Sequence, residues 1–289
     1  MRRIVLGTVA AVLLAGCGAG AGKKSTALPS SVTIGIAPWT VQAGEDRIWC
    51  KTMKVPFDQT IDVSKFTIDM APGSHHFILY RTTANLPDGF GDCPAMGNET
   101  FVVGSQNPGT FAFAYPQGLA MPLFAGEQLV LQSHYVNASN AAIQAKVDVT
   151  MDLIPHSEVT NYVETFLIPD TSFAIPPQTF GYTDGGKNQT ETPGLNILSI
   201  SSHMHKRGTL FTIAEIGATS SNNLFTTTTW DAPPIKVFDP PLVTDASKKL
   251  HYQCTWDNET THTIHFGPTT EDEMCIMVVT VYPALDYAP

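Results

Sequence analysis

The sequence predicts an all-β protein built from two jelly-roll-like antiparallel β-sandwich domains in tandem. Short runs rich in Val, Ile, Thr, Phe and Tyr recur along the chain, and clusters of Gly, Pro, Asn and Asp separate them. No segment shows a long apolar repeat of 3.6 residues with helix caps. The 22 glycines and 21 prolines are distributed throughout the chain, as is typical of sandwiches and jelly rolls.

The N-terminus has the pattern of a cleaved export signal. Arg2 and Arg3 precede the apolar run Ile4–Leu14, which is too short to span a bilayer. Leu-Ala-Gly-Cys17 resembles the lipobox of bacterial lipoproteins, so residues 1–17 are predicted as the signal and Cys17 as the lipidated residue. The alternative is an ordinary signal peptide with a chance cysteine. Residues 18–31 would form a flexible tether, and Gly18 favours the outer membrane of the bacterial envelope.

The strand-like runs fall into two sets, one in each half of the chain. The first set is Ser31–Ala37, Arg47–Met53, His75–Tyr80, Thr110–Tyr115, Glu127–Val136 and Gln144–Ile154. The second set is Asn161–Ile168, Asn196–His203, Thr209–Ile216, Leu224–Trp230, Leu250–Thr255, Thr263–Phe266 and Cys275–Tyr282. A boundary near Pro155 predicts domains over residues 32–157 and 158–289, and residues 181–192 are predicted as a polar loop.

Charge and composition exclude some partners. The net charge is −10, and no basic patch is interleaved with aromatic residues, so a nucleic-acid partner is not expected. Contact with a membrane is expected only through the lipid anchor at Cys17. No obligate protein partner is evident from the sequence.

Four cysteines remain once Cys17 is assigned to the lipid anchor. An even number of cysteines in an exported chain predicts two disulfides. The four residues allow three pairings, and the sequence order does not select one of them. They are Cys50, Cys93, Cys254 and Cys275.

His203, His205 and Met274 form a candidate metal site in the second half. Two histidines separated by one residue on a strand present both imidazoles on the same face. A thioether such as that of Met274 is a soft ligand that suits cuprous copper and is unattractive to zinc, magnesium or calcium. The acidic residues Glu271–Glu273 are interpreted as a solvated turn. The alternative is that they accept hydrogen bonds from the imidazoles.

His75, His76 and His134 form a second, all-histidine set in the first half. Neighbouring residues of a regular strand point to opposite faces, so His75 and His76 reach one metal only if the strand is irregular there. The preceding Pro72-Gly73 makes a turn or bulge plausible, and the alternative is that only one of the two histidines is a ligand. Gln132 is placed on the same strand face as His134 and is predicted to hydrogen-bond into the site. A His-His-Met set beside a His-His-His set indicates copper chemistry with oxygen.

Four ordered motifs resemble those of the copper type II, ascorbate-dependent monooxygenases. The motifs are His-His-Phe, Gln-Ser-His-Tyr, His-Met-His-Lys-Arg-Gly and Asp-Glu-Met-Cys, and the resemblance runs from about residue 32 to the C-terminus. It implies that His75, His76 and His134 hold an electron-donating copper. It also implies that His203, His205 and Met274 hold the copper at which O2 binds and a substrate C–H bond is broken.

The same resemblance implies further features. The two coppers would face each other across an open cleft between two jelly-roll domains, with ascorbate or a similar one-electron reductant as co-substrate. It also selects the disulfides Cys50–Cys93 and Cys254–Cys275. The expected reaction is hydroxylation of an aliphatic C–H bond in a small organic substrate.

The sequence departs from the peptide-amidating members of the family at substrate-binding positions. Ser201 replaces an arginine, and Ile276 and Val278 replace an asparagine and a tyrosine. A glycine-extended peptide is therefore a poor candidate substrate, and an apolar substrate is favoured. The main alternative function is a non-catalytic copper-binding lipoprotein for storage, sensing or delivery. A zinc hydrolase is a weaker alternative, because no His-Glu motif supplies a base.

Overall fold

The fold is almost entirely β-strand across the residues that the structure describes. A computed structural model describes residues 28–94, 99–106 and 108–289. Within them the only helical element is one 3-10 turn at His156–Glu158. The predicted all-β class is confirmed, whereas the jelly-roll topology stays a prediction. The expected signal peptide, Cys17 and most of the tether lie outside the described residues.

Twenty-two strands are present in the described part of the chain. The first ten are β1 (Ser31–Val41), β2 (Asp46–Lys54), β3 (Ile61–Met70), β4 (Ser74–Thr82), β5 (Gly89–Gly91), β6 (Glu99–Gln106), β7 (Gly109–Ala114), β8 (Leu119–Leu123), β9 (Gln128–Val136) and β10 (Ile143–Ile154). The next six are β11 (Asn161–Tyr162), β12 (Glu164–Pro169), β13 (Ala174–Ile175), β14 (Thr179–Tyr182), β15 (Lys187–Thr190) and β16 (Asn196–Met204). The last six are β17 (Gly208–Ile216), β18 (Ser221–Thr227), β19 (Lys236–Val243), β20 (Lys249–Asn258), β21 (Ile264–His265) and β22 (Cys275–Tyr282).

These strands form two main sheets in each half of the chain. In the first half, one sheet has the order β1-β10-β3-β8-β11, with β7 also paired to β3, and the other has the order β5-β2-β9-β4-β6. In the second half, the orders are β12-β22-β16-β19 and β14-β20-β17-β18, with β15 also on β20. A small pair, β13-β21, accompanies them. Neighbouring strands of the main sheets are antiparallel except for the β11–β8 pair, which is parallel.

Two clusters of buried apolar side chains form the cores. The first consists almost entirely of residues from the first half, such as Phe66 and Phe77, and the second of residues from the second half, such as Phe211 and Trp256. Val163 and Leu198 are exceptions, because they lie in the second half of the chain but pack in the first cluster, and Leu198 is on β16. The domain boundary between residues 157 and 158 stays a prediction.

Some strands differ from the sequence-based expectations. The strands β3 and β19 were not predicted, and the expected polar loop at residues 181–192 contains the short strand β15 paired to β20. In β3 the apolar alternation changes phase between Val63 and Phe66, near an irregular point in its pairing with β10. The edge strand β19 contains two prolines, which argue against a strand in sequence analysis but are tolerated at a sheet edge.

Both disulfides implied by the family resemblance are present. Cys50 on β2 pairs with Cys93, and Cys254 on β20 pairs with Cys275 at the start of β22. The second bridge therefore fixes the strand end that follows Met274. The described residues include no helix with the length and apolar character needed to cross a membrane.

Candidate metal centres

A β-bulge places His75 and His76 on the same site. The pairing of β4 with β9 shifts register between Ser74, opposite Tyr135, and His76, opposite His134. His75 is thus the extra residue, and this irregularity allows consecutive side chains to converge. Gly73 precedes the bulge at a φ of 89°, in the left-handed region that favours glycine. The predicted irregularity after Pro72-Gly73 is therefore present.

His75, His76 and His134 converge closely enough to share one metal ion. Each offers a ring nitrogen, and the three nitrogens lie within 4.8 Å of one another. The Nδ1 atoms of His75 and His76 are 3.3 Å apart. Burial lowers the pKa of His75 and lowers that of His76 well below the ordinary value, with the charge of His134 as the next cause for both. These two imidazoles are therefore neutral at pH 7 and available as ligands.

Two neighbouring side chains lie beside these imidazoles. The side chain of Gln132 lies close enough to His76 to influence its imidazole, and its role in the site stays a prediction. The carboxylate of Asp46 on β2 lies 2.6 Å from Nε2 of His134. A carboxylate accepts a hydrogen bond, so Nε2 of His134 carries the proton and Nδ1 is left with the lone pair. His134 itself is only 5% exposed, which limits the orientations of its ring.

His203, His205 and Met274 are positioned by the pairing of β16 with β22. In this register His203 lies opposite Ile276, and Met204 lies opposite Cys275. The rings of His203 and His205 are perpendicular, with centroids 5.3 Å apart. Nδ1 of His205 is 3.0 Å from the carbonyl oxygen of Asp272, so it donates and leaves Nε2 as the free nitrogen. Burial lowers the pKa of His205 and lowers the pKa of His203 to about 3.

The carboxylate of Glu273 connects the backbone that follows β16, at His205, to the backbone of Met274. Glu273 is fully buried, and its carboxylate accepts backbone N–H bonds from His205 at 3.1 Å, Arg207 at 2.8 Å and Met274 at 3.3 Å. Burial raises its pKa to about 7. The interpretation of Glu271–Glu273 as a solvated turn is therefore wrong for Glu273, because three amide donors replace the water that a charged turn would bind.

Both ligand sets open onto one cavity of about 860 Å³ between the two halves of the chain. His76 and Gln132 line it from the β5-β2-β9-β4-β6 sheet, and His203, His205 and Met274 line it from the second half. The side chain of Gln106 on β6 reaches His203, with 3.4 Å between Nε2 and Nδ1. The rings of His75 and Trp230 also approach across the halves, with centroids 6.1 Å apart. The two halves of the chain are therefore joined by direct contacts beside the histidines as well as by a shared cavity.

The second half of the chain matches a known family. A family model described as copper type II ascorbate-dependent monooxygenase, C-terminal domain, matches residues 158–288. The second half of the chain, over residues 158–288, therefore belongs to this family. The matched segment contains His203, His205 and Met274, together with the Cys254–Cys275 bridge. His75, His76 and His134 lie outside the matched segment, so their assignment as ligands depends on the geometry described above.

Other comparisons add little to the family match. No match to a curated protein was found. Among solved structures, the major capsid protein of bacteriophage PM2 is 7% identical over 90% of this chain and 100% of that chain, with a TM-score of 0.43. A turret protein of Sulfolobus turreted icosahedral virus is 8% identical over 87% of this chain and 98% of that chain, with a TM-score of 0.22. Both TM-scores are too low to support an inference.

The two sets of candidate donor residues fit copper. Three imidazoles in the first half and two imidazoles with a thioether in the second half are borderline and soft ligands, which copper prefers and hard cations do not. Two nitrogen atoms bound to one such ion at about 2.0–2.1 Å are at most about 4 Å apart. The ring nitrogens of His75, His76 and His134 lie within 4.8 Å of one another, so only a small side-chain movement would bring all three to bonding distance. The hydrogen bonds to His134 and His205 leave the required nitrogen atom free in each ring.

Sequence reasoning missed Asp46 and Gln106 and misinterpreted Glu273. Asp46 reaches His134 across 88 positions of the sequence, and Gln106 reaches His203 across 97. No local pattern marks either residue. For Glu273, the position directly before Met274 was a usable signal, because a side chain next to a ligand is well placed to orient it.

Proposed function

We propose that this protein is a dicopper monooxygenase that hydroxylates an aliphatic C–H bond with O2 and an ascorbate-like reductant. In the proposed reaction one oxygen atom enters the C–H bond and the other leaves as water. Two protons and two electrons are consumed, and ascorbate supplies the electrons. The observation that carries the proposal is the shared cavity, which is lined by His76 from one set and by His203, His205 and Met274 from the other.

Each group of residues has a defined part in this proposal. His75, His76 and His134 would hold one copper, and His203, His205 and Met274 the other. When bound, the two coppers would supply one-electron redox chemistry and the activation of O2 at the Met274 side. Gln132 and Asp46 orient the first set, while Glu273 fixes the backbone that carries His205 and Met274. The surrounding cavity holds the substrate next to the second set.

The expected location at the cell envelope is part of the proposal. The lipobox at Leu14–Cys17 would be cleaved before Cys17, which would then anchor the mature chain in the bacterial outer membrane. The tether of residues 18–31 would separate the catalytic domains from the lipid surface. No nucleic acid or obligate protein partner is expected.

A non-catalytic copper-binding lipoprotein is the second candidate. The positions at which amidating relatives bind a peptide carboxylate carry Ser201, Ile276 and Val278 here. The hydroxyl of Ser201 already donates to the carbonyl oxygen of Pro234 at 2.8 Å. The loss of these anchoring groups is what favours this alternative.

Copper stoichiometry and ascorbate-driven O2 uptake on the full chain test the proposal. We expect two coppers per chain, and uptake in the presence of at least one member of a panel of amines, peptides and apolar compounds. Met274→His should still bind two coppers but lose at least tenfold in uptake, because a third strong nitrogen donor replaces a weak thioether that leaves room for O2. X-ray absorption should show the loss of copper–sulfur scattering.

Met277→Leu is the matched control. Met277 lies three residues further along the same segment, is fully buried, and lies opposite Ser202 rather than His203. A Met-to-Leu change in a core is nearly volume-conserving, so this variant should keep parental uptake. Parental hydroxylation by Met274→His would contradict the assignment. Two coppers without uptake on any compound of the panel would favour the copper-binding lipoprotein.

A further inference from the structure

The walls of the shared cavity are mainly apolar. Its volume of about 860 Å³ is in the range that accommodates a small organic molecule. Phe101 and Phe111 line it from the first half, and Leu167, Ile276 and Val278 line it from the second half. Ile235 also lines the cavity and is 40% exposed, so it faces solvent. An apolar surface therefore continues from the solvent-facing rim into the cavity.

This apolar surface begins directly beside the His203 imidazole. On the β12-β22-β16 sheet, His203 lies opposite Ile276, and Ser201 lies opposite Val278. Leu167 lies opposite Val278 on its other side. Cross-strand neighbours have Cβ atoms about 5 Å apart, so Ile276 and Val278 form the floor next to His203. A molecule in contact with this set of side chains contacts hydrocarbon there.

The side chains that line the cavity offer no cationic partner for an anion. None of the described residues that line it is a lysine or arginine, and Glu99 is the one carboxylate among them. The Ser201 hydroxyl is already committed to the carbonyl oxygen of Pro234. A carboxylate would therefore lose its hydration without gaining an ion pair from a side chain, and this is strongly unfavourable.

We propose that the cavity binds an uncharged substrate whose reacting part is a hydrocarbon group, and that it discriminates against carboxylates and other anions. The statement that the bound molecule is the substrate rests on the proposed monooxygenase function. The binding preference itself depends only on the cavity walls. Ile276 and Val278 determine the specificity, because they lie between His203 and the rest of the apolar surface.

A matched pair of fluorescent probes tests this preference on the full chain in a single detergent buffer. N-phenyl-1-naphthylamine is uncharged, and 1-anilinonaphthalene-8-sulfonate has the same ring system with a sulfonate. We expect saturable binding of the uncharged probe at one site, with the sulfonate bound at least tenfold more weakly. Val278→Asp should weaken binding of the uncharged probe at least tenfold, because a carboxylate would then interrupt the apolar floor.

Val243→Asp is the matched control. Val243 lies on β19 of the same sheet, is 65% exposed and is not among the residues that line the cavity. It should bind the uncharged probe as the parent does. If Val278→Asp does not fold, Val278→Thr decides, because it keeps the shape of the side chain, adds one hydroxyl and should weaken binding about threefold. Circular dichroism of each variant verifies folding.

Several outcomes would overturn the inference. These are equal affinity for the two probes, parental binding of the uncharged probe by the folded Val278 variants, or no saturable binding by the folded parent. Copper content measured on the same samples separates this inference from the proposed function. Two coppers without probe binding would overturn the substrate class alone. Probe binding without copper would overturn the monooxygenase function and leave a cavity for uncharged ligands.

Discussion

At the scale of single residues, the carboxylate of Asp46 determines which nitrogen of His134 is free. Its oxygen lies 2.6 Å from Nε2, and the Asp46 side chain is about half exposed. Solvent screens an ion pair at such a position, so the contribution of this contact to stability is small. Its effect is on the orientation and tautomer of the ring, which a metal site requires.

Asp46→Asn is expected to weaken copper binding at the first-half site. Loss of a side chain that orients a histidine ligand typically costs tenfold to a hundredfold in metal affinity. Copper titration should show this loss at one of the two sites, while the site of His203, His205 and Met274 is unchanged. Asp92→Asn is the control, because Asp92 is a more exposed carboxylate that pairs with Arg47 and does not contact the histidines. If the two variants bind copper with equal affinity at the first-half site, Asp46 does not support that site.

The proposed ligands could be identified from the sequence, whereas the side chains that contact them could not. Imidazole and thioether chemistry is a property of single residues, so His203, His205 and Met274 were recognisable by type and spacing. Gln132 was predicted because it lies two residues from His134 on one strand face. Asp46 was missed because only the pairing of β2 with β9 brings it to His134.

At the scale of secondary-structure elements, the bulge at His75 is the feature on which the first site depends. Gly73 at φ 89° allows the chain to enter β4 with the irregular register. Its carbonyl oxygen accepts the N–H of Val136 at 3.1 Å, which ties the turn to β9. A side chain at this position would face Ile143, whose Cδ1 is 2.3 Å from an ideal Cβ.

Gly73→Ala is expected to reduce both stability and copper binding at the first-half site. A left-handed conformation costs an L-residue about 1–2 kcal/mol, so the free energy of unfolding should fall by that amount. The turn can relieve the strain only by changing the entry to the bulge, which would move His75. Urea unfolding and copper titration measure the two effects.

Gly44→Ala provides the comparison for this variant. Gly44 has a φ of 73°, and an ideal Cβ there meets no atom within 4 Å. It should show the same conformational penalty with unchanged copper affinity. If both variants bind copper like the parent, the first-half site does not depend on the bulge.

Strand prediction succeeded where alternation is regular and failed where it is interrupted. β22 was predicted with its observed bounds, Cys275–Tyr282. β3 was missed because its alternation changes phase, and β19 because of its two prolines. The segment Lys187–Thr190 is polar and forms a strand only because β20 offers it an edge. Such pairing depends on tertiary contacts, which cannot be inferred from the strand propensities of the individual residues.

At the scale of the whole molecule, Leu198 connects the two halves. It lies on β16, the strand that carries His203, yet it is buried in the core of the first half. The neighbouring Ile197 and Ile200 belong to the second core. Unfolding of either half would therefore expose apolar surface of the other, and this should make the two halves unfold together.

Leu198→Ala is expected to separate the unfolding of the two halves. Truncating a buried leucine to alanine costs about 2–5 kcal/mol, and here the loss falls on the contact between the cores. Calorimetry should show one transition for the parent and two for this variant. Leu224→Ala makes the same chemical change within the second core alone, so it should lower stability without separating the halves. A single transition with similar shifts in both variants would refute the coupling.

The sequence by itself predicted the all-β class, the resemblance to the family and the two proposed ligand sets. Alternation along strands and ligand chemistry are local properties, and they can be read from residue types and short spacings. The tertiary structure alone decided that Asp46, Gln106 and Glu273 support the ligands, and that both sets open onto one apolar cavity. These contacts depend on strand register and on the packing of the two halves, and both join residues that are far apart in the sequence.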